Sequence, residues 1–163
     1  NLDEVWFVVS PHNPFKNKNN LLDDYARLEM VYRAVKDFDN LRVTDIEFGL
    51  SQPSYTVNTL AVLSEKYPNK YFSLIMGGDN LSTLHKWKNH EYILKNHQLY
   101  VYPRLATPPG SLDDHKSVNL VGAPIIQISS SFIRKAIKEK KDVRPMLPAN
   151  VWEYIDEMNY YAK

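Results

Sequence analysis

Residues 71–80 read YFSLIMGGDN: a run of apolar β-formers, two glycines, then an acid. The run predicts a buried strand closed by Gly77 and Gly78, because aromatic and β-branched residues suit a pleated, covered surface. Residues 79–96, DNLSTLHKWKNHEYILKN, follow as helix in outline, divided into two short pieces. The same alternation extends in both directions. Upstream, EVWFVV (4–9) is a continuous apolar run, the signature of a strand buried on both faces. A loop broken by Pro11 and Pro14 leads to a helix over DDYARLEMVYRAVKDF (23–38). There Leu28, Val31, Val35 and Phe38 fall at helical spacing, with Asp23 or Asn20 as the cap. LRVTDIEF (41–48) is a second strand, and from Ser54 the positions Val57, Leu60, Ala61 and Ser64 mark another helix.

Downstream, QLYVYPR (98–104) is a fourth strand and residues 105–119, rich in Pro, Gly, Ser and Asp, a flexible loop. VNLVGAPIIQI (118–128) reads as two short strands, SSSFIRKAIKEKK (129–141) as a helix, and PANVWEYIDEM (148–158) as a last helix with Pro148 near its start. Strands alternating with helices imply an α/β fold: a parallel sheet with helices on both faces, in one domain over residues 1–163. Ligands in such sheets bind beyond the carboxyl ends of the strands, here SPHNP, GGD, YPR and ISSS.

Composition narrows the partners. Lys and Arg number 20 against 19 Asp and Glu, so no bulk field draws in nucleic acid or an anionic membrane, and any anion site must be local. The longest apolar run, Val5 to Val9, is too short to span a bilayer. With no cysteine, thiolate catalysis, disulfides and Cys-based metal sites are excluded, and a cytoplasmic setting is expected. The five histidines form no metal motif, and neither a Walker sequence, a GxGxxG nor a GxSxG elbow occurs. No resident metal site is expected.

Four segments carry candidate chemistry. At the end of the 71–78 strand, Gly77 and Gly78 permit close backbone approach, and Asp79 is either a helix cap or an acceptor for ribose hydroxyls. PSYTVNTL (53–60) opens a helix at Tyr55 and Thr56, whose amides either take ordinary caps or hold a carboxylate. Trp87, between Lys86 and Lys88, is either packed over a neighbouring helix or a platform for a flat ring. His12, Lys16 and Lys18 lie on the 10–20 loop, solvated or reaching for phosphate. The strongest signal is ISSSFIRK. Ser129, Ser130 and Ser131 place hydroxyls and amides at a positive helix start, and Arg134, a turn along, can fold onto the same anion. From Arg134 to Arg144 there are six basic and two acidic residues.

In order and spacing, LDEVWFVVSPHNPFK, YARLEMVYRAV, PSYTVNTL, GGDNLSTLHKW, ISSSFIRKAI and VRPMLPANVWEYIDE resemble the bacterial nicotinate-nucleotide adenylyltransferases of the nucleotidyltransferase superfamily. ISSSFIR is similar to that family's I-S-S-T-x-I-R motif, with Ser131 keeping the hydroxyl of threonine. The resemblance implies a Rossmann-like α/β fold and transfer of AMP from ATP to nicotinate mononucleotide, with Mg²⁺ held mainly by the ATP phosphates. A related enzyme acting on nicotinamide mononucleotide or phosphopantetheine, or a non-catalytic nucleotide-binding homologue, is the alternative. It also implies roles. Amides near Thr56 and Lys88 hold the nicotinate carboxylate, with Trp87 and Tyr55 facing the pyridine ring. Gly77, Gly78 and Asp79 receive the adenosine ribose, and Ser129, Ser130, Ser131 and Arg134 the ATP phosphates. His12 and Lys16 meet the mononucleotide phosphate. The family's opening G-x-F-x-P-x-H-x-G-H turn has no counterpart here, so the chain is expected to lack that fold's first strand and helix. The aromatic tail YIDEMNYY is either a homo-oligomer interface or a packed last helix.

Overall fold

A computed structural model describes residues 2–11, 22–104 and 110–162. The chain divides into two compact units, residues 1–52 with 127–163 and residues 53–126.

In the first unit, β1 (Val5–Val8) pairs in parallel with β2 (Leu41–Thr44), Val5 opposite Leu41 and Val8 opposite Thr44. The crossover between them is α1 (Asp24–Val35), which packs on β2. Asp23 is its cap, the Oδ1 accepting from the amides of Tyr25 at 2.9 Å and Ala26 at 3.4 Å. Two expectations are corrected here. β1 is not buried on both faces, since Phe7 stays 42% exposed, and Phe38 lies past the end of α1 and is exposed. β2 is also shorter than the run of β-formers. Thr44 Oγ1 accepts from the Ile46 amide at 3.2 Å and turns the chain into a 3₁₀ helix over Ile46–Gly49. The unit closes with α5 (Ser130–Lys138), a 3₁₀ turn at Arg144–Met146 and α6 (Ala149–Glu157), with Pro148 at the cap. α6 lies along α1, where Asn150 Nδ2 donates to the Arg33 carbonyl at 2.6 Å and the Arg33 guanidinium sits 4.4 Å over the Tyr154 ring. Tyr160 returns edge-on to Tyr154, ring centroids 5.6 Å apart, so this part of the aromatic tail is packed within its own unit.

The second unit opens with α2 (Thr56–Lys66) and carries three parallel strands in the order β3 (Leu74–Gly77), β4 (Leu99–Tyr102), β5 (Val118–Leu120). Between β3 and β4 stand α3 (Gly78–Ser82), a 3₁₀ turn at Leu84–Lys86 and α4 (His90–Asn96). Val57, Leu60, Met76, Leu81, Leu84, Ile93, Leu94, Leu99 and Val101 form one buried cluster. It draws one face of α2 and the short helices onto the strands. Of the expected flexible loop before β5, residues 105–109 lie outside the described residues, and beyond them the Gly110 amide donates to Asp113 Oδ2 at 2.9 Å and Ser117 is buried. A second strand within residues 121–128 does not form. Pro124 lacks an N–H to donate, and Ile125, Ile126 and Ile128 remain exposed, Ile126 by 70%. Among the described residues no helix is long and apolar enough to cross a membrane.

Candidate functional site

β3 delivers the first group of residues. Its last residue, the buried Gly77, caps α3 in ordinary extended backbone (φ −81°), so what glycine provides there is space and not conformational freedom. A Cβ on Gly77 would collide with Asp79 Oδ1 and stand 3.0 Å from Arg104 Nε. Because Gly77 holds the cap position and no side chain caps α3, the carboxylate of Asp79 is not consumed by capping, and it is 60% exposed. Arg104, just past β4, faces it with Nε 3.6 Å from Oδ1. Arg104 also donates from Nη2 to the Tyr102 hydroxyl at 3.1 Å, its guanidinium 5.2 Å from that ring's centre. An ion pair this exposed contributes little stability, so its main consequence is to orient the two groups. Beside them a cavity of about 230 Å³ is lined by Gly78, Ser82, Tyr102, Pro103, Arg104 and Asp113, over Leu81 and Val101. Sequence reasoning missed Arg104. The available signal was its place in YPR, directly beyond a parallel strand's carboxyl end.

The second group stands at the start of α2. Tyr55 is the cap, its carbonyl accepting from the amides of Asn58 and Thr59 at 2.9 and 3.2 Å, and its own side chain makes no capping bond. Lys88 places Nζ 4.5 Å over the Tyr55 ring, a cation–π arrangement. Trp87 ends the 3₁₀ turn, its amide donating to the Leu84 carbonyl at 2.8 Å, and packs with Tyr55 on the same buried cluster. Asn89 then takes left-handed backbone (φ 51°), reversing the chain after Lys88. Tyr55, Thr56, Trp87 and Lys88 therefore share one neighbourhood.

The third group lies in the first unit. Ser129 caps α5, its Oγ accepting from the Phe132 amide at 3.1 Å. Ser131 Oγ accepts from Arg134 Nη2 at 3.2 Å, and the Ser130 hydroxyl makes no hydrogen bond among the described residues. The three serines thus divide into a cap, a free hydroxyl and a guide for Arg134. No carboxylate pairs with Arg134 among the described residues, in contrast to its neighbours. Lys135 and Lys141 share Glu139, and Arg144 pairs with Asp142 at 2.6 Å. Hydrogen bonds donated by the Arg144 side chain and by its backbone amide hold the Asp142 carboxyl down at about 2. His12 and Lys16 lie outside the described residues.

Parallel strands feeding helices, with accessible polar groups at their carboxyl ends, define an α/β protein. Residues 1–136 match the cytidylyltransferase-like family model. The Flavobacterium johnsoniae protein named "Probable nicotinate-nucleotide adenylyltransferase" is 57% identical over 164 residues, spanning 99% of this chain and 85% of the relative. That of Christiangramia forsetii is also 57% identical, over 98% of this chain and 84% of its own. The chain belongs to the cytidylyltransferase-like family and, within it, to the nicotinate-nucleotide adenylyltransferases. Among solved structures it is similar to Plasmodium falciparum nicotinic acid mononucleotide adenylyltransferase complexed with NaAD, with a TM-score of 0.76 at 20% identity over 98% of this chain and 83% of that one. At that identity the likeness establishes the fold.

Proposed function

We propose that this chain transfers AMP from ATP to nicotinate mononucleotide, forming nicotinate adenine dinucleotide and pyrophosphate, with its anion hold at the start of α5. The observation that carries this is Arg134, a guanidinium without a carboxylate partner among the described residues, steered by Ser131 at a helix start whose dipole favours negative charge. An oxygen of the mononucleotide phosphate attacks the α-phosphorus of ATP, the new P–O–P bond forms, and the bond to pyrophosphate breaks with the electron pair leaving on its oxygen. That nucleophile is already anionic at neutral pH, so no general base is needed. The barrier is the approach of two polyanions and the charge gathered on the leaving group.

Ser130, Ser131 and Arg134 serve that leaving charge. Asp79 accepts from the adenosine ribose, with Gly77 and Gly78 letting the nucleotide lie against backbone. Thr56 and Lys88 hold the nicotinate carboxylate, with Tyr55 and Trp87 beside the pyridine ring. Magnesium would be held mainly by the ATP phosphates themselves. When bound it offsets phosphate charge.

The test is pyrophosphate release from ATP, Mg²⁺ and nicotinate mononucleotide by the complete protein. Loss of one charged hydrogen bond removes about 1.5–3 kcal/mol, so Arg134→Ala is expected to lower kcat/KM for ATP by about one to two decades with the fold retained. Parental turnover by that variant would remove Arg134 from the reaction.

A further inference from the structure

An arginine that must meet a phosphate needs to be aimed without being neutralised. A carboxylate would aim Arg134 but compete with the phosphate for its charge. Two neutral groups adjoin the guanidinium instead: Ser131 Oγ at 3.2 Å, and the ring of Tyr161, whose centre lies 6.0 Å from Cζ. The chain invests in bringing Tyr161 there. α6 ends with Asn159 in left-handed backbone (φ 52°), the Tyr160 amide reaching back to the Ile155 carbonyl at 3.0 Å and the Asn159 amide to the Asp156 carbonyl at 3.1 Å. Tyr161 is itself left-handed at φ 65°, a conformation unfavourable for a bulky residue and one that has to be held by its contacts. Burial raises the phenol's pKa, so the ring is neutral at physiological pH.

We infer that Tyr161 is a positioning residue for Arg134, its ring face orienting the guanidinium for phosphate while leaving the positive charge free. This rests on the reading of Arg134 as a phosphate anchor. A cation–π contact at a partly exposed site corresponds to a two- to fivefold effect, so Tyr161→Ala and Tyr161→Leu in the complete protein should lower kcat/KM for ATP by about that factor. KM for nicotinate mononucleotide should stay put, and Tyr161→Phe should recover most of the loss. In an Arg134→Ala background, Tyr161→Ala should have no further effect on kcat/KM for ATP, because the ring would have nothing left to orient. An equal loss in both backgrounds, a failure of phenylalanine to rescue, or parental kcat/KM in Tyr161→Ala would each overturn the inference. The two ideas fail separately. Impaired Arg134→Ala with additive Tyr161→Ala sinks only the positioning role, whereas unimpaired Arg134→Ala sinks the phosphate anchor as well.

Discussion

The atoms nearest a methyl group on Gly77 would belong to two side chains, Asp79 Oδ1 and Arg104 Nε and Cγ. Because φ there is −81°, alanine is conformationally acceptable. Gly77→Ala should therefore leave the thermal midpoint within about 2 °C of the parent, a shift of at most about 1 kcal/mol. Yet it must push the Asp79 carboxylate aside, and a displaced acceptor for a ribose hydroxyl should raise KM for ATP roughly tenfold. Thermal melts beside steady-state kinetics check both halves, and an unmoved KM would detach Asp79 from the nucleotide. At this scale much was legible. The glycines and the acid were legible as the exit of a strand, with Asp79 readable either as a helix cap or as an acceptor for ribose hydroxyls. Arg104 was not, since an arginine beyond a proline reads as solvated surface until the fold sets it 3.6 Å from Asp79.

Elements follow local chemistry until packing overrules it. Asp23 and Ser129 are caps because short acceptors at helix starts satisfy otherwise orphaned amides, and the chain narrowed the first to Asp23 or Asn20 and the second to three serines. The strands proved shorter than their apolar runs, because Thr44 diverts β2 through its own hydroxyl and Pro124 removes a ladder donor. Between α5 and α6 the basic run is tempered by Arg144 pairing with Asp142. That carboxyl is lowered from 3.8 to about 2, first by Arg144's side-chain hydrogen bond and then by its backbone one. A depressed folded-state pKa contributes stability that is present above the unfolded value and lost as pH falls through the folded one. The contribution of this turn should therefore fade between roughly pH 4 and 2, and only modestly, the pair being exposed. NMR titration of the Asp142 carboxyl should give a midpoint near 2, returning toward the ordinary value in Arg144→Gln. A normal midpoint in the parent would mean the pair does not persist in solution.

At the scale of the whole molecule, a net charge of +1 leaves no general field to gather two polyanionic substrates. Recognition must then come from local groups, which makes it selective for the charge each group expects. Nicotinamide mononucleotide lacks the carboxylate proposed to meet Thr56 and Lys88, so its kcat/KM should be lower by roughly a decade or more. Comparable values for the two mononucleotides, measured side by side with saturating ATP, would retire that assignment.

What the sequence determined by itself is the alternation of strands and helices, the cap of α1 narrowed to Asp23 or Asn20, a serine run opening α5, and the glycine-to-acid exit of β3. These depend on interactions within a few residues, where periodicity and backbone hydrogen bonding leave few choices. Only the tertiary structure decided that Arg104 faces Asp79, that Lys88 lies over Tyr55, and that Tyr161 comes back to Arg134. Each of those pairs is remote in the chain, and contacts of that kind exist only once burial of the apolar clusters has closed the intervening segments upon one another.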